Sequence, residues 1–111
     1  MKTVINDIIP FKGYKAMCFW PWIFVRRGSS FKDVDLNHEL IHSRQQIEML
    51  LVFFYLWYGI EYLFRLIQYR NINDAYRNIS FEREAYANQY DMNYLQNRKH
   101  FAWIYCLTFK K

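Results

Sequence analysis

The chain has 111 residues and a mass of 13.9 kDa, which is enough polypeptide for one domain and excludes an enzyme with separate cofactor and substrate domains. Hydrophobic residues make up 53% of the chain, enough to form a core, and this excludes a disordered protein. The net charge of +5 permits an anionic partner, but the basic residues are scattered and never form a block of five, which disfavours nucleic acid.

The first part of the chain predicts a small β element followed by a turn. Residues 11–27 are rich in aromatic and β-branched residues, and Pro21 among them cannot donate to a sheet ladder. We therefore expect a short strand or hairpin at the edge of a sheet, with a turn at residues 28–30. Residues 1–10 lack the apolar run of a signal peptide, so we expect a cytoplasmic protein, with association with a membrane as an alternative.

A long helix is predicted to follow the turn. Asp33 or Asp35 is its expected N-cap, and residues 36–69 contain no strong helix breaker apart from Gly59. The apolar stretch at residues 49–64 has a longest uninterrupted run of twelve residues, fewer than the roughly 18 to 20 needed to span a bilayer. We therefore favour a helix buried in the core, and an interfacial membrane segment is the alternative.

The spacing of charged residues and the positions of helix-breaking residues predict the elements in the second half of the chain. Glu61 and Arg65 lie four residues apart in the long helix and predict a face exposed to water. The other expected elements are a break at residues 71–74, a helix capped by Ser80, and a last helix from Asp91 or Asn93 to Leu107. This pattern predicts a mainly α protein of the α+β class.

The most informative segment is residues 38–42, His-Glu-Leu-Ile-His. Two histidines at positions i and i+4 lie on one face of a helix, where both rings can bind the same metal ion. Glu39 points to the neighbouring side, where it can accept a proton from a water molecule on the metal instead of binding the metal itself. This is the spacing of the H-E-x-x-H zinc motif, so we expect Zn²⁺ to bind His38 and His42.

Zinc needs a third protein ligand if one position is to remain for water. The candidates are His100, Glu48, Glu61, Glu82, Glu84 and the aspartates. Glu48 and Glu61 are predicted on the same long helix as the motif, too far along it to reach the metal, and His100 has no motif around it. Glu82 and Glu84 are better placed, because they are predicted on a second helix that can run antiparallel to the first.

Two short motifs, His38-Glu39-Leu40-Ile41-His42 and Phe81-Glu82-Arg83-Glu84-Ala85, resemble those of the gluzincin metallopeptidases. They are similar in particular to the minimal zincin-like scaffold of membrane-associated zinc proteases of the heat-shock and prenyl-protein type and of beta-lactam sensor proteases. The resemblance covers roughly residues 15–90 and implies a long active-site helix and a glutamate helix that supplies the third ligand. It also implies Glu39 as general base and acid, and an edge strand, for which residues 15–26 are the candidate, that binds an extended peptide.

In this family the third ligand begins a pattern close to E-x-x-A-D, and two registers fit this chain. Glu82 as the ligand places Tyr86 where the family has Asp, whereas Glu84 places Asn88 there. That Asp normally hydrogen-bonds a metal-ligating histidine, a role that Asn88 could fill better than Tyr86. We favour Glu82, because the F-E-x-E-A run fits its register more closely and only one of two residues about 200° apart on a helix can face the site.

We therefore expect residues 1–111 to form a single domain that acts as a small zinc-dependent metallopeptidase on a peptide or protein substrate. The alternative is a zinc-binding regulatory or interaction module on the same scaffold, without proteolysis, that could act at a membrane surface. Stabilisation of the oxyanion could come from Tyr86, Tyr90 or His100, and nothing in the sequence selects one of them.

Overall fold

The computed structural model describes residues 2–7 and 15–108, which form an α+β fold of helices around one small sheet. Strands β1 (Lys2–Asn6), β2 (Ala16–Phe19) and β3 (Trp22–Arg26) are arranged in the order β1-β3-β2. β1 runs parallel to β3, and β2 runs antiparallel to it. The predicted hairpin is thus formed by β2 and β3, with β2 at an edge of the described sheet, whereas residues 11–14 of the predicted segment lie outside the described residues.

The helices are α1 (Asp33–Glu48), α2 (Val52–Tyr69), α3 (Ile72–Arg77), α4 (Ser80–Asn88) and α5 (Tyr94–Asn97), and a 3-10 helix follows at Ala102–Cys106. The N-cap of α1 is Lys32 and not an aspartate. Asp33 and Asp35 lie inside the first turn, where the helix dipole favours acidic residues, and Asp35 accepts a hydrogen bond of 2.9 Å from the backbone N–H of Lys32. Similarly, α4 is capped by Ile79, so that Ser80 is its first residue.

The predicted last helix is divided into two short pieces. α5 ends at Asn97, and Arg98 is extended. Phe101, which precedes the 3-10 helix, has a φ of 57° in the left-handed region, where an L residue cannot continue a right-handed helix. The prediction of one helix up to Leu107 is therefore wrong.

The single long helix predicted over residues 36–69 is also wrong, because the chain turns sharply between α1 and α2. Leu50 and Leu51 have φ values of 53° and 61°, in the region that disfavours L residues, and the two helices are bent by 111°. Burial of Phe54 in a core with Ile79, Phe81 and Trp103 compensates for this unfavourable backbone. The helix does continue through Gly59, as predicted.

Helix α2 carries its charged residues on its buried side and most of its aliphatic residues on its exposed side. Its buried residues are Phe54, Glu61 and Arg65, and Glu61 and Arg65 are only 4% and 0% exposed. The water-exposed face predicted from this pair is therefore wrong, and the core helix expected at residues 49–64 is realised only on the side that carries Phe54. Within the described part of the chain, no single helix is long and apolar enough to cross a membrane.

The buried Glu61–Arg65 pair fixes the start of α4. The Glu61 carboxylate accepts hydrogen bonds from the Ser80 backbone N–H at 2.7 Å and from the Ser80 hydroxyl. It also accepts from Trp57 Nε1 at 3.1 Å and from the Arg65 guanidinium at 3.3 Å. A carboxylate at this position is stabilised by the positive end of the α4 dipole, so the pair positions the helix that carries Glu82.

Replacement of one member of this pair is expected to destabilise the fold strongly. Arg65→Met leaves Glu61 buried and uncompensated, so the free energy of unfolding should fall by about 3 kcal/mol or more. Urea unfolding followed by circular dichroism measures this change. Ile67→Gln, two residues along at an exposed position, is the control and should change stability by less than about 0.5 kcal/mol. An equally small effect of Arg65→Met would contradict the buried position of the pair.

Candidate metal centre

Three buried side chains converge at one point between α1 and α4. His38 and His42 lie one turn apart on α1, with their Nε2 atoms 3.1 Å from each other. Oε1 of Glu82 on α4 lies 3.2 Å from Nε2 of His38 and 3.0 Å from Nε2 of His42. The three side chains form a buried group that could hold a metal ion.

The hydrogen-bond partners of the rings determine which ring atoms face this point. Oε1 of Gln45 lies 2.7 Å from Nδ1 of His42, while its Nε2 donates to the Phe81 carbonyl at 3.0 Å and to Glu84 at 2.9 Å. Because both partners of the Gln45 nitrogen are acceptors, the amide cannot be flipped, and Nδ1 of His42 must carry hydrogen. In the neutral ring, Nε2 of His42 is then an acceptor directed at the site.

His38 is supported from the other side by Gln89. Its Nδ1 lies 2.7 Å from Oε1 of Gln89, and with the amide in this orientation Nδ1 donates and Nε2 faces the site as an acceptor. Two imidazole lone pairs and a carboxylate oxygen therefore meet at about 3 Å in the interior, an arrangement that is repulsive unless a cation or a proton lies among them. The donor set thus fits a metal ion.

Without a metal ion, the charges at this site favour a proton on His42. Burial by itself lowers the pKa of His42, but the charge and hydrogen bond of Glu82 raise this pKa to about 9. Burial raises the pKa of Glu82, yet the two histidines outweigh burial and hold it below its usual range. Near neutral pH the metal-free site therefore holds a protonated His42 beside an ionised Glu82, and a metal ion must compete with that proton.

The second oxygen of Glu82 is held by α2. The hydroxyl of Tyr58 donates to Oε2 of Glu82 at 2.8 Å. Burial, together with the negative charge of Glu82, raises the pKa of Tyr58, so the phenol keeps its proton and remains a donor. Glu82 is consequently oriented to present one oxygen to the two histidines.

Glu39 lies beside this group on the wall of two neighbouring cavities. The first, of about 250 Å³, is lined mainly by apolar and aromatic side chains of β2 and α2, and also by His42 and Glu82. The second, of about 280 Å³, is lined by polar groups and by His38. Ala16, Glu39 and Tyr76 line both cavities. Burial raises the pKa of Glu39, although the two histidines act against this shift.

Glu84 lies on a different side of α4 from Glu82. Its carboxylate binds the Arg98 guanidinium, with Nη2 at 3.0 Å, and accepts hydrogen bonds from Gln45 and from the Tyr94 hydroxyl. It is not one of the three residues that converge on the site. Glu84 instead supports Gln45, which in turn orients His42.

The structure also locates the other residues considered from the sequence. Tyr86 packs its ring against His38, with ring centroids 4.6 Å apart, whereas Asn88 donates from its side chain to the Glu84 carbonyl. Tyr90 is exposed, and the His100 side chain is 94% exposed. Neither Tyr90 nor His100 lines either cavity.

Gln45, Gln89 and Tyr58 were not singled out from the sequence, although they orient all three converging groups. A signal existed for Gln45, which lies three residues after His42 and therefore on the same side of α1. Gln89 lies seven residues, or two turns, after Glu82. Tyr58 gave no local signal, because its contact with Glu82 depends on how α2 folds back.

Comparison with known proteins does not identify a relative of this chain. No protein-family model, curated protein or solved structure matches this chain. A function must therefore be inferred from the chemistry of the site and from the two short motifs.

The two glutamates of α4 are expected to respond differently to the loss of charge. Glu82→Gln should weaken metal binding by more than about 100-fold, because it removes a converging anion. Glu84→Gln should retain the metal but lower the free energy of unfolding, because Arg98 loses a buried partner. Elemental analysis and competition with a chromophoric chelator measure binding for this matched pair. Loss of the metal in Glu84→Gln but not in Glu82→Gln would show that Glu84 is the third ligand.

Metal affinity is expected to rise with pH. Below about pH 9 a metal ion must displace the proton on His42, so apparent affinity should increase about tenfold per pH unit towards that value, with release of about one proton. In the metal-free protein the same raised pKa stabilises the fold below about pH 6.5, and this stabilisation is lost as pH rises through about 9. Calorimetric titration in buffers of different ionisation enthalpy counts the protons. Affinity independent of pH between about 6 and 8 would contradict the assignment.

Proposed function

We propose that this protein is a small zinc-dependent metallopeptidase of the gluzincin type that hydrolyses peptide bonds. The observation that carries the proposal is the position of Glu39, on the wall shared by two cavities and next to the His38–His42–Glu82 group. A carboxylate that can exchange a proton thus stands beside a buried site suited to a cation, with space on both sides for a substrate.

The nature and spacing of the donor atoms favour zinc. Two imidazole nitrogens and one carboxylate oxygen form a typical ligand set for catalytic zinc and leave one position for water. Zinc bonds of 2.0–2.1 Å in a tetrahedral arrangement place neighbouring donors about 3.3 Å apart. The three donor separations of 3.1, 3.2 and 3.0 Å are within a few tenths of an ångström of this value.

Glu39 would transfer protons during hydrolysis. Zinc supplies Lewis acidity, which lowers the pKa of a water molecule and polarises a carbonyl group. The Glu39 carboxylate takes a proton from water and gives it to the leaving amine. Burial raises the pKa of Glu39, and a raised pKa helps this carboxyl group to hold the proton between the two steps.

The edge strand β2 offers a binding position for an extended substrate. Because the Arg26 N–H binds the Lys15 carbonyl, antiparallel alternation directs the peptide groups of Ala16 and Cys18 away from β3, towards α1. Gln46 covers one end of this edge, since its amide donates to the Cys18 carbonyl and accepts from the Trp20 N–H. Ala16 remains as the outward-facing position, and it lines both cavities beside Glu39.

The phenols of Tyr76 and Tyr86 are candidates to stabilise the oxyanion. Tyr76, which was not considered from the sequence, lines both cavities, and Tyr86 lines the second. Burial and the charge of Glu82 raise the pKa of both phenols, so both keep their protons, and the two hydroxyls hydrogen-bond each other. Tyr76 is the better placed of the two, because it borders the space on either side of Glu39.

Glu39→Gln is expected to abolish hydrolysis without removing zinc. Loss of the general base should lower the rate by about 100-fold to 10,000-fold, while zinc content stays at that of the wild type because Glu39 is not a ligand. A degenerate library of quenched fluorogenic peptides measures turnover, and elemental analysis measures zinc. Asp33→Asn, in the first turn of the same helix, is the control and should retain activity. Stoichiometric zinc without turnover in the wild type would favour the non-catalytic zinc-binding module instead.

A further inference from the structure

The outer face of α2 is a continuous apolar surface. Every residue of α2 that is exposed to solvent is apolar or aromatic: Val52, Phe53, Tyr55, Leu56, Gly59, Ile60, Leu63, Phe64 and Ile67. At about 100° per residue these positions occupy an arc of about 180° around the helix. The charged residues of α2 are Glu61 and Arg65, and both are buried on the opposite side. We call this set of nine residues the α2 face.

Aromatic and apolar residues extend the α2 face beyond the helix. Phe19 stacks on Tyr55 with ring centroids 5.6 Å apart, which places the turn between β2 and β3 next to the face. Trp20 and Trp22 at this turn are exposed. In the chain segment before α2, Leu50 is exposed as well. The surface therefore carries tryptophan at its margin, as surfaces at the boundary between lipid and water commonly do.

The width of the α2 face favours a bilayer over a single packed helix. A helix that packs against another protein element buries an apolar stripe of about 100°, and a coiled-coil seam is narrower still. A single partner helix would therefore leave much of the α2 face, which spans about 180°, exposed to water. A lipid surface can cover the whole arc at once, because it adapts to the shape of the helix.

Exposed basic residues precede and follow α2 in the chain and complement an anionic membrane. Arg70 caps the C-terminus of α2 and is exposed. Arg44 and Ile47 are both exposed on α1 and lie three residues apart, hence on the same side of that helix. Basic residues beside an apolar face attract anionic lipid headgroups, as in amphipathic helices that lie at the membrane surface.

The neighbouring helix determines how α2 would meet the lipid. α3 packs against α2 and exposes Asn73, Asp74 and Arg77. If α2 crossed the bilayer, these polar side chains would be drawn into hydrocarbon, which is strongly unfavourable. With α2 parallel to the membrane plane, the α2 face enters the lipid and α3 stays in water.

We propose that the α2 face binds this protein to the surface of an anionic lipid bilayer, with α2 parallel to the membrane plane. The proposal does not depend on hydrolysis or on a bound metal, because none of the nine residues belongs to the His38–His42–Glu82 group. It accounts for the inverted pattern of α2, in which the buried side carries the charges.

Vesicle flotation tests the proposal directly. The wild type should float with vesicles of phosphatidylcholine and phosphatidylglycerol, and Leu56→Gln/Ile60→Gln should weaken partitioning by about tenfold for each substituted side chain. Arg44→Gln/Arg70→Gln should weaken partitioning on these vesicles but not on phosphatidylcholine alone. Tyr90→Gln/Met92→Gln, at exposed positions outside α2, is the control and should float like the wild type. Circular dichroism and zinc content verify that each variant is folded.

Three results would overturn the proposal. The first is a wild type that remains with the unbound fraction on both kinds of vesicle. The second is a Leu56→Gln/Ile60→Gln variant that floats as well as the wild type. The third is a vesicle-free dimer, detected by light scattering, that this double variant converts to monomer, since a second copy of the chain would then be what covers the α2 face.

Discussion

Two imidazole nitrogens and one carboxylate oxygen meet within 3.2 Å of one another in the interior of this small protein. Three acceptors repel each other at such a distance, so the arrangement can persist only with a cation or a proton among them. Gln89 and Gln45 bind Nδ1 of His38 and His42, and Tyr58 binds the second carboxylate oxygen of Glu82. Much of the polar interior of the molecule thus serves to keep this contact in place.

The path of α2 connects the candidate metal site with the apolar surface of the molecule. Because the chain turns at Leu50 and Leu51, α2 folds back and brings Tyr58 to Glu82 and Glu61 to the start of α4. These polar contacts occupy the inner side of α2. Most of its aliphatic side chains are consequently left on the outer side, so one constraint accounts both for the buried charges and for the α2 face.

The residues that hydrogen-bond His38 and His42 differ from those expected in gluzincins. Where that family has an Asp, this chain has Tyr86 in the register that brings Glu82 to the site, and neutral glutamine amides accept the hydrogen bonds of both histidines. An amide oxygen accepts the Nδ1 hydrogen of an imidazole less strongly than a carboxylate does, so it increases the basicity of the opposite ring nitrogen less. The support by Gln45 is itself anchored by Glu84 and Arg98.

Local periodicity made some features predictable. The 3.6-residue repeat places His38, Glu39 and His42 correctly whatever the rest of the chain does, and composition predicts the α+β class with a short strand or hairpin within residues 11–27. The choice between Glu82 and Glu84, the turn at Leu50 and the inverted burial of α2 depend on contacts between residues far apart in the chain. Helix propensity at Leu50 and a charge pair at Glu61 and Arg65 are weak local preferences, and burial of Phe54 together with capping of α4 by Glu61 outweighs them.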